Sequence, residues 1–198
     1  METLSNKPTS TETPPKSSCW FKKSLIALVV ILAALAAVIA MQPNEFRVTR
    51  TATFDASPEE VFEQINDFHN WEAWSPWAKL DPDAKTDYEG PTSGEGAIFR
   101  WDGDSNVGQG SMTLVQSKPN DLIRIKLDFK RPMEGTSDVK FTIKPEGDKT
   151  ALTWSMEGEN NFMAKAVGLV VDCEKMCGDM FEDGFANLKH IVEGTPNE

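Results

Sequence analysis

The spacing of apolar residues changes several times along the chain, and each spacing predicts a different element. Leu25 to Met41 is a run of seventeen apolar, uncharged residues with no polar face. At about 1.5 Å per residue it makes a helix roughly 26 Å long, near the lower limit for crossing a bilayer. Phe46 to Phe54 then alternates. Phe46, Val48, Ala52 and Phe54 share one face and Arg47, Thr49, Thr51 and Thr53 the other, which predicts a half-buried strand. Arg50 interrupts the apolar face, either as an edge residue or as a cation inside a cavity. From Asp55 the period becomes helical. Ser57 is a cap, Pro58 suits the first helical position, Glu60 completes a capping box, and Val61, Phe62, Ile65 and Phe68 make an apolar stripe. Trp71, Trp74 and Trp77 follow within seven residues, with Pro76 bending the chain. Tryptophan is rarely idle on a surface, so this stretch predicts one wall of a hydrophobic cavity.

The middle of the chain reads as short strands between turns. Candidate strands are Lys85 to Glu89, Ala97 to Trp101, Val107 to Gln116, Ile123 to Phe129, Val139 to Lys144 and Leu152 to Met156. Their turns include Asp102-Gly103-Asp104, Lys118-Pro119-Asn120-Asp121 and Glu146-Gly147-Asp148-Lys149. Such a series implies a curved antiparallel meander. From Asn161 the chain becomes helical in two pieces broken near Gly168. Phe181, Phe185, Leu188 and Val192 form one stripe, Gly178 and Gly184 allow close packing on the sheet, and Gly194 and Pro196 end the helix.

Composition sharpens the picture at the N-terminus. The first eighteen residues hold four Thr, four Ser and three Pro without apolar periodicity, so a disordered tail is expected over residues 1–23 and a membrane helix over 24–41. Trp20 and Phe21 stand where an interfacial belt would sit. A cleaved signal peptide with Val38-Ile39-Ala40 at its end and a buried core helix are the competing readings, weakened by the long polar lead and by the missing polar face. Lys7, Lys16, Lys22 and Lys23 before the run outnumber Arg47 and Arg50 after it, favouring a cytoplasmic N-terminus and a folded domain on the periplasmic or extracytoplasmic side. From Asn44 onward 16 Lys and Arg face 29 Asp and Glu, a balance of −13. Such a domain repels phosphates, so no nucleic-acid partner is expected.

The order of elements, together with Ala56-Ser57-Pro58-Glu59-Glu60-Val61-Phe62, the Asp67-Phe68 to Trp77 stretch, Gly94-Glu95-Gly96 before a strand and Phe181 to Lys189 in the last helix, resembles the helix-grip superfamily called SRPBCC. That superfamily includes START lipid-transfer domains and the polyketide cyclase/dehydrase-like family. The resemblance covers residues 45–193, with 194–198 as a short tail. It implies an α+β fold in which a curved antiparallel sheet of six to seven strands grips a long C-terminal helix and leaves an apolar cavity for a lipid or another hydrophobic small molecule. It also implies that the segment with Trp74 and Trp77 closes the cavity mouth. Expected ligand-facing residues are Trp71, Trp74, Trp77, Trp101, Met112, Phe129, Phe141, Trp154, Met156 and Phe181, each of them equally able to fill core.

Residues with catalytic chemistry are scarce. The two histidines are His69, a loop residue beside Trp71, and His190, in the last helical turn. An enzyme of cyclase or dehydrase type would have to use Asp67, His69, Arg50 or Arg100, and no catalytic constellation joins them in sequence. Cys173 and Cys177 share a helix face without a nearby histidine, which suits core packing and not zinc; no metal or other cofactor is expected. Cys19 lies beside the apolar run, where lipidation is possible. Three functions fit: a membrane-anchored binder of hydrophobic ligands, a cyclase-like enzyme, and a protein-interaction module whose cavity is filled.

Overall fold

A computed structural model describes residues 17–194. The expected tail falls mostly on residues 1–16, outside the described residues, as do residues 195–198. The chain divides into two compact units, Met1–Gln42 and Pro43–Glu198. The first contains helix α1 (Ser17–Ala40), within which Trp20–Ala40 is long and apolar enough to cross a membrane. The helix starts earlier than the apolar run because Ser17 to Lys23 contains no breaker and extends a helix already nucleated by its neighbours.

The second unit is built on one seven-stranded antiparallel sheet. Its strands are β1 (Glu45–Phe54), β2 (Lys85–Glu89), β3 (Ile98–Asp102), β4 (Gln109–Lys118), β5 (Leu122–Arg131), β6 (Gly135–Glu146) and β7 (Lys149–Glu159). Their order is β1-β7-β6-β5-β4-β3-β2, so the first strand closes against the last and the meander supplies the rest. Between β1 and β2 run α2 (Pro58–Asn66), a 3-10 turn at Phe68–Asn70, α3 (Trp71–Trp74) and a second 3-10 turn at Pro76–Lys79. After β7 come α4 (Phe162–Val167) and α5 (Cys173–Val192), the two expected helical pieces, with Gly168 at the end of the first. The expected strands are all present. β4 begins at Gln109 and not at Val107 because Gly108, at a φ of 65°, still belongs to the turn.

Register places the apolar alternation on one face. Arg50, Trp154, Phe141 and Ile123 lie in one row across β1, β7, β6 and β5. Val48, Met156, Val139, Ile125 and Leu114 form the next row, and Phe46, Gly158, Ser137, Leu127, Met112 and Phe99 the one after. Beyond it, towards the β5–β6 turn, lie Trp101, Gly110, Phe129 and Gly135. Bulges at Gln109/Gly110 and Leu114/Gln116 bend β4. The opposite face carries cross-strand pairs such as Arg47–Glu157, Arg100–Glu89 and Arg124–Asp138, all exposed and each contributing little.

Helices cover only part of the apolar face. α2 buries Val61, Phe62 and Ile65, and α5 buries Gly178, Phe181, Gly184, Phe185 and Leu188. Both helix glycines mark close approaches. A Cβ on Gly178 would stand 2.0 Å from the Arg50 guanidinium, and one on Gly184 would stand 3.0 Å from the Trp154 ring. α2 starts on a complete capping box: Ser57 Oγ accepts the Glu60 N–H at 3.3 Å, and Glu60 accepts from the Ser57 N–H and hydroxyl at 2.8 Å. Ser57→Ala is expected to lower stability by about 1 kcal/mol in denaturant titration. The Ser57 backbone N–H, then its hydroxyl, hold the Glu60 carboxyl below the ordinary value of 4.5. A folded-state value below the unfolded one means that this contribution is present above pH 4.5 and fades as pH falls through the lowered value. Ser57→Ala removes the hydroxyl and keeps the backbone N–H, so it should flatten the acid limb of a melting-temperature profile only in part.

Candidate functional site

The tryptophan stretch is tied down by its own indoles. Trp71 Nε1 donates to the Ile65 carbonyl at 3.0 Å and Trp74 Nε1 to the Gln64 carbonyl at 3.1 Å. Both carbonyls lie in the last turn of α2, where no intrahelical donor reaches them. The two rings thus cap that helix end while filling the core, a role their spacing did not reveal. Asn187 on α5 donates to the Trp74 carbonyl at 3.0 Å, fastening the stretch to the long helix.

The ten expected ligand-facing residues separate into two sets. Trp71, Trp74, Phe141, Trp154 and Phe181 are buried. They pack on one another: Trp154 stacks on Phe181 with centroids 4.0 Å apart and planes 6° apart, tilts against Phe141 at 4.9 Å, and meets Trp74 edge-on at 5.8 Å. The expected hollow between the tryptophan stretch, the sheet and the helix is therefore occupied here by the protein's own rings. The other five, Trp77, Trp101, Met112, Phe129 and Met156, are only half-buried and pack against this core from outside, together with Phe46 and Phe99. Trp101, Met112, Phe129 and Met156 lie on the helix-facing surface of the sheet, from the Val139 row towards the β5–β6 turn, and Trp77 stands off the sheet on the second 3-10 turn, its ring edge-on to Trp154 and Phe181. This half-open apolar strip is the candidate site.

One polar group inside the core has no partner. Among the described residues, the Trp154 indole Nε1 is a buried side-chain donor with no acceptor. A buried donor left unpaired costs about 1–3 kcal/mol. At the far end of the strip, Trp101 Nε1 donates to the Val107 carbonyl at 3.0 Å, which holds its ring flat over Gly110.

The candidate catalytic residues do not gather at the strip. Arg50 lies on the edge strand β1 and on the helix-facing surface. It reaches α5, donating to Glu182 and Glu174 at 3.0 Å each, and passes beneath Gly178. Hydrogen bonding to Glu174 raises its already high pKa. Arg100 is on the outer face, paired with Glu89. Asp67 accepts from the His69 N–H at 2.9 Å and lies 2.7 Å from His69 Nδ1. The His69 ring stacks on Tyr88 at 4.1 Å beside a cavity of about 180 Å³ that Phe68, Glu89, Pro91 and Ala97 also line. Burial, then Glu72 and Asp67, push the Tyr88 hydroxyl up, so it stays protonated there.

Cys173 corrects the expectation of core packing: it is exposed, and only Cys177 is partly buried. The helix turns Cys173 outward at its first position, before α5 meets the sheet. Burial pushes the Cys177 thiol up to about 11. In native alkylation at pH 8 followed by peptide mapping, Cys173 is expected to be modified well before Cys177, because the reactive species is the thiolate. Among the described residues no group of His, Cys, Asp and Glu is placed to hold a metal.

Structures similar in fold include a protein of Mesorhizobium loti (17% identity, TM-score 0.57, covering 77% of this chain and 100% of that one). A protein of Chromobacterium violaceum is similar at 17% identity and a TM-score of 0.54, covering 79% and 100%. A START superfamily protein of Mycobacterium smegmatis is similar at 19% identity and a TM-score of 0.51, covering 76% and 99%. Identities this low speak for the fold alone. No curated protein matches the chain in sequence. Residues 45–193, the span of the sheet and its helices, match the family described as polyketide cyclase / dehydrase and lipid transport, and the chain belongs to that family.

Proposed function

We propose that the domain binds a hydrophobic small molecule or lipid on the half-open strip between Trp77, Trp101, Met112, Phe129 and Met156, while α1 anchors it to a membrane with the domain on the extracytoplasmic side. The observation that carries this reading is the uneven covering of one apolar face. Helices seal the rows around Trp154 and leave the rows beyond Val139 partly exposed. Binding sites of this kind are mostly apolar with few polar contacts. The family includes lipid transport, which agrees with an apolar cargo.

Purification of the full chain in a mild detergent, followed by mass spectrometry of co-purifying lipids, tests the proposal. A defined apolar species is expected, and Phe129→Asp should remove it, because a charge would enter the strip. Repeatedly empty preparations that also take up no fluorescent fatty acid would favour the interaction module with a filled core. The cyclase or dehydrase alternative draws on Asp67 and His69, since Arg50 and Arg100 are held by carboxylates. The His69 side chain is 49% exposed and meets the strip only through Tyr88, which tilts against Phe99, so ligand binding is the better-supported reading.

A further inference from the structure

The domain's exposed apolar side chains are concentrated in one place. Of the twelve large hydrophobic residues exposed after Gln42, seven fall between Phe162 and Met176. α4 buries none of its residues. Phe162 is 54% exposed, Met163 58% and Val170 85%, with Leu169 and Val171 exposed beside them. Lys165 is the one charge between residues 162 and 171, and it is drawn to the Asn44 side-chain oxygen. A contiguous apolar surface of this kind marks a binding face, whereas scattered exposed residues do not.

The position of this surface indicates what covers it. Asn160, at the entrance to α4, donates its N–H to the Asn44 carbonyl at 2.7 Å and its side-chain amide to the Pro43 carbonyl at 3.3 Å. Asn161, which caps α4, donates to the Glu134 carbonyl at 3.4 Å, in the turn that carries exposed Met133. Pro43 and Asn44 follow directly on Met41 and Gln42, the residues after Ala40 where α1 ends. Covalent connectivity alone therefore keeps the root of the apolar surface within a few residues of the end of the apolar helix. The rest of the domain is strongly acidic and unsuited to anionic lipid.

We infer that α4 and the loop Gly168–Val171 lie in the lipid interface of the bilayer that holds α1, with Phe162, Met163, Leu169 and Val170 entering the acyl boundary. Binding at an interface strengthens with the apolar area buried there. The inference rests on α1 as a membrane anchor. It adds a second attachment, which would set the half-open strip at a fixed height above the lipid, because α4 is bonded to the same β5–β6 turn that borders the strip.

The test uses the full chain reconstituted in phosphatidylcholine vesicles that contain phosphatidylcholine with a photoactivatable acyl chain, with adducts mapped by peptide mass spectrometry. Adducts within residues 162–171 are expected at several-fold the level found on β5, whose polar face is turned to water. A double variant, Met163→Glu with Val170→Glu, alters two exposed positions and should return the segment to that background while α1 remains labelled. Labelling of α1 with only background labelling of residues 162–171 in the unaltered chain would overturn the inference and leave the anchor standing. Absence of label on α1 would overturn both. Chemical cross-links joining residues 162–171 of two copies, without lipid adducts, would assign the surface to self-association and overturn it too. None of these outcomes touches ligand binding on the strip, which the co-purification experiment decides separately.

Discussion

Trp154→Ala is expected to lower the stability of the domain by about 3–5 kcal/mol, the range for removing a large aromatic side chain from a packed core. Trp154 is 2% exposed and lies where the sheet, the tryptophan stretch and α5 meet. Its ring contacts Trp71, Trp74, Trp77, Phe141, Phe181 and Phe185, so truncation leaves a cavity lined by residues from every layer. Those neighbours are rigid and mutually packed, so the space cannot collapse. Domains of this size are stable by only about 5–15 kcal/mol, and the variant should sit close to its unfolding threshold. Denaturant titration of the full chain in detergent measures the loss. Trp154→Phe is the informative companion. It retains most of the stacking on Phe181 and removes the indole N–H that has no acceptor, so its destabilisation should be well below that of the alanine variant. A loss under about 1 kcal/mol for Trp154→Ala would show that the aromatic cluster is not the packed centre described here.

Gly110→Val is expected to lower stability by about 1–3 kcal/mol or more, through overpacking at a place where backbone must move. A Cβ on Gly110 would stand 2.5 Å from the Asp128 carbonyl oxygen and 2.5 Å from the Trp101 ring. The carbonyl is fixed in the β4–β5 ladder, and the ring is fixed by the hydrogen bond from Trp101 Nε1 to Val107. Relief comes from expelling the indole, which detaches the outer end of the candidate strip. Intrinsic fluorescence should report a Trp101 newly exposed to water, and binding of any co-purifying lipid should weaken with it. Gly135, opposite Phe129 in the same row, has nothing within 4 Å of its ideal Cβ. Gly135→Ala should be nearly silent, and this contrast separates crowding at Gly110 from a general dislike of side chains in these strands.

Much of the architecture could be read locally. Strand alternation in β1, β5, β6 and β7 is a period of two imposed by one buried face, and it needs no tertiary information. The Ser57–Glu60 capping box and Pro58 at the first helical position announce α2, and Gly168 announces the break before α5. The resemblance to a helix-grip family followed from the same order of elements. Less legible was the use made of individual side chains. Trp71 and Trp74 read as a cavity wall, yet each indole N–H caps a carbonyl of α2, a bond that forms only after the chain folds back on itself. Cys173 and Cys177 read as a matched pair, yet α5 reaches the sheet only after its first turn, so one is exposed and the other half-buried.

By itself, then, the amino-acid order determined which segments are strands and helices, which face of each is apolar, and that a single helix at the N-terminal end is apolar enough for a bilayer. Those properties depend on periodicity, and periodicity is carried by near neighbours. Tertiary structure alone decided how far the helices extend over the apolar face. It placed Trp154 against Phe181 and closed half of that face, left Trp101 and Phe129 at the open half, and brought Asn160, at the entrance to α4, to Asn44. These are contacts between residues on different elements or different rows of the sheet, and their outcome depends on volumes, register and backbone approach that no local pattern encodes.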